Sequence, residues 1–292
     1  MKKHSQLVLR ILLVVLFLGA GIWLRSLQAT RTASGESGWR PWATTSAVTL
    51  YFHKDGFLFP VTRRIRGKDD LPLRALQALM AGPRSSTGLK NLVPGSVQIR
   101  SFSLENGIAH IDLSAIPDGN DAEAAQGAIV ETMTSLGGVT SVEVSVEGKP
   151  LGAPSTRTPL LYFASASGLV AIPVMALNPR DALQVYLSGP PAPELTGLPA
   201  DVRLLAHEYN SADRLLSLKF SYTPSLRALA MDRPERMRTV LLGLIATLTE
   251  FPEIRTVQLD FGGQTRLGLG QCSDLLRTPQ RRPTLLNDER LL

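Results

Sequence analysis

LYFHKDGFLFPV at residues 50–61 returns as LYFASASGLVAIPV at residues 161–174, and this recurrence decides the fold. Each copy runs from an apolar stretch into a turn glycine, Gly56 or Gly168, and then into a second apolar stretch ending Pro60-Val61 or Pro173-Val174. That pattern predicts a hairpin of two strands. Further along, Leu76-Gln77 through Gly82-Pro83 matches Leu183-Gln184 through Gly189-Pro190, with Pro72 and Pro179 at equivalent helix starts. Asp70 or Asn178 can cap these helices, proline suits a first turn whose N–H would be unpaired anyway, and Gly-Pro stops them. Leu73, Leu76 and Met80 should face inward in one, and Leu183, Tyr186 and Leu187 in the other.

The match continues through Pro94 and Pro199 into strands from Val97 and Val202, then through a polar turn to strands with clear alternation. Ala109, Ile111 and Leu113 correspond to Leu216, Leu218 and Phe220, so His110 and Asp112, like Ser217 and Lys219, should point to the opposite face. A helix carrying Met237, Val240, Leu241, Leu244, Ile245 and Leu248 at helical spacing corresponds to one beginning near Asn120 and Asp121 with Ile129, Val130, Met133 and Leu136. Each leads into a last alternating strand, Val142-Val144-Val146 or Val257-Leu259-Phe261. The expected fold class is α+β: two tandem repeats of a small two-layer domain in ββαββαβ order, both helices packed on one face of a mainly antiparallel sheet. The expected domains are 47–152 and 160–268, joined by a linker at 153–159 and followed by a tail at 269–292 without a fixed fold.

Residues 1–24 hold Lys2, Lys3 and Arg10 ahead of the apolar run ILLVVLFLGAGIWL at 11–24. Leu7 to Leu24 is long enough to cross a bilayer, and the basic start favours a cytoplasmic N-terminus with the remainder outside the cell membrane. The expectation is a single-pass signal anchor; a cleaved signal peptide is the competing reading, with a poor cleavage site because Leu27 is large. Residues 25–46 read as a tether, in which Trp39 and Trp42 either sit at the lipid headgroups or pack on the first domain.

Over the 292 residues, 44% are hydrophobic and 6% aromatic, enough for two aliphatic cores and not for an aromatic stacking surface. Cys272 is the single cysteine, which removes internal disulfides and cysteine metal clusters. The net charge of +6 and a pI near 9.7 suit anionic lipids, wall polymers or acidic partners, with nothing that demands nucleic acid.

Taken together, LYFHKDGFLFPV (50–61), ALQALMAGP (75–83), LVPGSVQIRSFSLENGIAHIDLS (92–114) and AIVETMTSLGGVTSVEVSVEGKPL (128–151) resemble the GerMN domain family of sporulation and spore germination. The second copy keeps the order in LYF, PV, LQVYLSGP, LPADV and LLGLIATLTEFPEIRTVQLDFGG. The resemblance implies non-catalytic modules, related in fold to ring-building domains that assemble between mother cell and forespore. Family members of this tandem type are commonly lipoproteins, whereas this chain has no cysteine near its N-terminus to lipidate.

No catalytic, cofactor-binding or metal set is expected, and the chain is read as a non-enzyme. His4, His53, His110 and His207 form no metal-ligand pair, and no phosphate loop is present. Asp69-Asp70 and Asp118 with Asp121 precede helices, where capping is the simpler role. His110 and Asp112, the nearest approach to an acid–base pair, have Ser and Lys as second-copy equivalents. Cys272 is expected to be exposed and incidental. Arg63, Arg64, Arg66 and Lys68 form the densest basic cluster, either an anionic-surface contact or a strand edge blunted by charge. The functional expectation is assembly with envelope proteins or with itself through sheet edges; binding of peptidoglycan or an anionic polymer is the alternative.

Overall fold

The computed structural model describes residues 45–67, 70–84, 87–93, 95–262 and 269–289. The anchor at 1–24, residues 25–44 of the tether with both tryptophans, Lys68 and Asp69 lie outside the described residues; Thr45 and Ser46, expected to end the tether, are strand. Among those described, no helix is long and apolar enough to cross a membrane.

The first repeat runs β1 (Thr45–Lys54), β2 (Phe57–Arg66), α1 (Leu71–Met80), β3 (Ile99–Glu105), β4 (Ile108–Leu113), α2 (Asn120–Thr134) and β5 (Ser141–Val146). Short strands β6 (Lys149–Pro150) and β7 (Ser155–Thr156) both pair with β5. The second repeat runs β8 (Leu160–Ser165), β9 (Gly168–Pro173), α3 (Pro179–Leu187), β10 (Leu204–Asn210), β11 (Leu215–Phe220), α4 (Pro224–Asp232), α5 (Pro234–Leu248) and β12 (Thr256–Phe261). The ββαββαβ order therefore holds, with α4 added. Thr223 accepts a hydrogen bond from the Leu226 N–H at 3.2 Å and Pro224 opens the helix, so the segment before Pro234 forms a capped helix that buries Leu226 and Ala230.

Each repeat does not build one mainly antiparallel sheet. The two hairpins instead join across repeats in the order β1-β2-β9-β8, with Leu58 opposite Ala171, and each repeat keeps a separate mixed sheet, β3-β4-β5 or β10-β11-β12. β4 and β5 run parallel, as do β11 and β12, because a helix lies between the members of each pair in the chain. Leu58 through Arg63 and Leu160 through Ala164 are buried without alternation. A strand apolar on both faces needs cover on both faces; α1 and α2 pack on β1 and α5 on β8, while the β2–β9 pairing joins the two hairpins edge to edge.

The mixed sheets behave as their alternation requires. Ala109, Ile111 and Leu113 are buried, as are Leu216, Leu218 and Phe220, while His110, Asp112, Ser217 and Lys219 lie on the wetter face. The full stripe of α5 is buried. Its Gly243 abuts β8 so closely that a Cβ would collide with the Tyr162 carbonyl oxygen. Asn178 caps α3 by accepting the Asp181 N–H at 3.0 Å, but Asp70 makes no such bond and takes a left-handed backbone, φ 55°. Two-residue turn geometry is met at Asp55 and Gly56, φ 52° and 83°.

The expected unstructured tail is the clearest correction, since residues 269–289 fold against both repeats. A short helix, α6 (Ser273–Arg277), follows a 3₁₀ turn at Gly270–Cys272. Gln280 then pairs with Val257 at the outer edge of β12 through two 2.8 Å backbone bonds. Next, Leu286 N–H donates to Thr62 Oγ1 at 3.1 Å, and Thr62 N–H donates to the Asn287 carbonyl at 3.0 Å. Asn287 Nδ2 donates to the carbonyls of Pro60 (2.6 Å) and Leu169 (2.8 Å), and its Oδ1 accepts the Leu169 N–H at 2.8 Å. One side chain thus ties β2 to β9. Gly168, φ 135°, is required beside it, because Asn287 Oδ1 occupies the space a Cβ would take.

Candidate functional site

Equivalent residues of the two repeats meet at the shared sheet. Tyr51 N–H donates to Thr132 Oγ1 at 3.1 Å, and Tyr162 N–H donates to Thr247 Oγ1 at 2.9 Å, so each long helix anchors its own first strand by the same bond. The two tyrosine hydroxyls then contact each other at 3.0 Å. Tyr162 Oη donates to Glu250 Oε1 at 2.7 Å and accepts from Arg282 Nη2 at 2.9 Å. Arg282 and Arg157 pair with the two oxygens of Glu250, each at 2.5 Å. Burial pushes the Tyr51 hydroxyl up to about 12, with the Glu250 charge adding to it, and raises Tyr162 well above its ordinary value for the same two reasons. Arg157 comes from the expected linker, which is ordered through β7, and Arg282 from the expected tail.

Beside this network a groove of about 760 Å³ opens between the repeats, lined by one face of α2, the β2 turn and β9. Glu131 forms part of its floor. Its Oε1 accepts the Thr158 N–H at 3.3 Å, Arg157 Nε lies 3.9 Å from Oε2, and Oε2 has no hydrogen bond. Burial pushes this carboxyl up to about 7, against the lowering pull of Arg157 and the Thr158 N–H. His53 lines the same groove; burial holds its pKa below the usual value against the Asp121 charge, and its Nε2 is without a hydrogen bond.

A second cavity of about 400 Å³ lies in the second repeat between α3 and β10-β11, with Leu183, Leu187, Leu204, Leu216, Leu218 and Ile254 in its wall. Strand register places His207 opposite Leu218 just as Phe102 stands opposite Ile111. A phenyl ring thus stands in the first repeat where the second has an imidazole at the cavity wall.

The basic cluster expected at residues 63–68 is split by strand alternation. Arg63 points inward and is 8% exposed. It forms a bidentate pair with Glu289, Nη2 to Oε1 at 2.7 Å and Nε to Oε2 at 3.2 Å, and donates to the carbonyls of Ala78 and Gly82. It is a structural tie to the chain's later segment and no surface contact. Arg64 and Arg66 are exposed on the opposite face. Arg74 on α1, separated from the 63–68 run in sequence, joins them by donating to the Arg66 carbonyl at 2.6 Å.

His110 and Asp112 do not form a pair. His110 Nδ1 lies 2.9 Å from Glu143, while Asp112 accepts from Ser145 Oγ (3.0 Å) and Gly148 N–H (2.8 Å). Cys272 is fully buried, contrary to its expected exposure, and burial raises its thiol to about 11. Among the described residues no group of three or more His, Cys, Asp or Glu side chains is placed to hold a metal ion.

Comparison with known proteins follows the same repeat. The family model described as "Sporulation and spore germination", Germane, matches residues 49–152 and again 160–267. No curated protein matches the chain. Among solved structures, the tandem GerMN domains of the sporulation protein GerM from Bacillus subtilis match with a TM-score of 0.63 at 17% identity, covering 84% of this chain and 99% of that one. The likeness is one of fold. The first GerMN domain of that same protein also matches, at 18% identity and a TM-score of 0.33, over 39% of this chain and 98% of the other. The two family-model matches, which together take in most of the chain, show that it belongs to the Germane family of sporulation and spore germination, as a tandem pair of its domains.

Proposed function

We propose that this chain is a non-enzymatic, membrane-anchored extracytoplasmic protein whose two modules mediate protein assembly in the cell envelope, in a sporulation or germination setting. The observation that supports the assembly reading is the treatment of sheet edges. β1 is bridged by Lys90 and β8 by Thr196 at equivalent positions, β12 is covered by Gln280, and β5 by β6 and β7. Among the described residues, β3 and β10 instead end their sheets, and both expose most of their side chains. An uncovered strand edge offers a row of backbone donors and acceptors to another chain, and here the same edge recurs in both repeats. Leu104, Leu205 and Tyr209 add exposed apolar area to them.

The experiment is crosslinking in intact cells followed by capture of the tagged protein, with Leu104→Lys and Leu205→Lys introduced together. Envelope proteins, or ladders of the chain itself, should be captured with the wild type and lost with the edge charges. Full complementation and unchanged capture by the doubly charged variant overturns the reading. The anionic-polymer alternative draws on the exposed face of Arg64, Arg66 and Arg74. It requires salt-sensitive binding to isolated wall material that disappears when these three become Ala.

A further inference from the structure

The cavity of about 400 Å³ between α3 and β10-β11 has a filled counterpart in the first repeat. There Leu76, Ile111 and Val139 are buried, and Phe102 packs on the core to which they belong. Their second-repeat equivalents, Leu183, Leu218 and Ile254, form the cavity wall, and the place of Phe102 is taken by His207, whose side chain is exposed. A polar ring that stays with water leaves the aliphatic wall beside it uncovered. What completes such a wall is an apolar side chain of about the size of phenylalanine, arriving from outside the fold.

The same surface carries apolar side chains with nothing to cover them. Met175 and Leu177, on the segment between β9 and α3, are 96% and 94% exposed, more than any other large apolar residue among those described. One exposed leucine is ordinary, but two apolar side chains on one short segment beside an apolar cavity make a contact surface. Leu177 runs directly into Asn178, Pro179 and Arg180, which line that cavity, so knob and hole are neighbours. Methionine, unbranched and flexible, suits a hole of irregular shape. A knob next to a hole is the arrangement that a two-fold axis requires, since each copy's knob enters the other's hole and neither is left over. Arg180 and Glu253, both exposed at the cavity, give the surface one charge of each sign, so two identical surfaces meet without net repulsion from this pair.

We propose that two copies of this chain pair through their second repeats, with Met175 and Leu177 of each entering the cavity beside His207 of the other. The contact uses side chains and leaves the backbone edges of β3 and β10 free, so it does not rest on assembly through those edges. Two side chains per copy bury less area than permanent dimers do, and the expected Kd is of order 10 µM.

The test uses the full-length chain in mild detergent. Met175→Cys chains are mixed with differently tagged His207→Cys chains and treated with a short bismaleimide, from which the buried Cys272 is shielded. Mixed dimers should form at least about tenfold more than when Met231→Cys, exposed on α4, replaces Met175→Cys. In sedimentation equilibrium at about 100 µM the wild type should be largely dimeric, and Leu177→Asp and His207→Phe should each weaken pairing by about tenfold or more. Leu177→Asp should keep the far-ultraviolet circular dichroism of the wild type, because the side chain it replaces touches little. His207→Phe should melt at or above the wild-type temperature, because the missing ring is then supplied from within. Mixed dimers no more abundant than with the control, a monomeric wild type, or unchanged pairing in either variant overturns the proposal. A monomeric chain that still captures envelope proteins removes this pairing and leaves the strand-edge reading intact.

Discussion

Replacing Asn287 by Ala removes the side chain that ties the hairpins of the two repeats together. The residue is 7% exposed, and three hydrogen bonds of 2.6 to 2.8 Å vanish with it, leaving the Leu169 N–H and the carbonyls of Pro60 and Leu169 without these partners in the interior. A buried group stripped of its partner costs about 1–3 kcal/mol, and a carbonyl with a second lone pair falls at the low end. The expected loss is therefore about 3–5 kcal/mol, a large share of the roughly 5–15 kcal/mol that holds a typical domain. For a body of this size that is a fall in Tm of about 10 °C. The tryptophans at 23, 39 and 42 all precede the described fold, so unfolding is best followed by far-ultraviolet circular dichroism, in urea and on heating. Leu285→Ala is the control: that side chain is 47% exposed two positions away, and its loss should change stability by no more than about 0.5 kcal/mol. If Asn287→Ala and the control lie within about 1 kcal/mol of each other, the three bonds contribute nothing net and the stapling argument is wrong.

Gly243→Ala should destabilise by about 1–3 kcal/mol in thermal melts, although alanine is the better helix former, because the new methyl meets the Tyr162 carbonyl; a gain in stability would show that α5 can back away from β8. The folded-state pKa of Glu131 is raised from 4.5 to about 7, so the folded chain holds the extra proton between those values, and stability should fall as pH rises from about 4.5 to 7. That loss is of order a few kcal/mol, and Glu131→Gln should flatten it in denaturant titrations across the window. Cys272, buried with a thiol near 11, should resist iodoacetamide in the native protein at pH 8 and react promptly in urea; rapid native alkylation, followed by mass spectrometry, would contradict its placement.

Local periodicity carried the repeat well. The alternation of Ala109, Ile111 and Leu113 and the stripe of α5 each involve neighbours a few positions apart, and a side chain's facing follows from spacing alone. The shared sheet was legible only in part. Residues 58–61 and 160–164 lack alternation, which signals cover on both faces, but nothing local says that β2 and β9 pair edge to edge across the repeats. The tail's fold is not legible in its sequence because Arg282, Asn287 and Glu289 spend their polarity on buried partners far away in the chain. Arg63 is hidden for the matching reason: its partner Glu289 is 226 positions distant, and charge density in a short window cannot reveal it. The Glu131 groove left a single sequence trace, Gly127 inside an otherwise good helix, a residue that costs helix stability without a local purpose.

The 226-position separation between Arg63 and Glu289 also fixes an order of events as the chain emerges. The first hairpin can close early, since β1 and β2 are consecutive. The Thr62 N–H and Arg63, however, wait for Asn287 and Glu289, with the whole second repeat threaded out before they arrive. Until then the nascent first repeat presents an incomplete strand border and an unneutralised guanidinium beneath it. Contacts this remote slow folding and prolong the interval in which another chain can occupy the same border. A stop codon or protease cut after Leu285 would make that interval permanent, and the product should associate through β2 in place of its own missing strap.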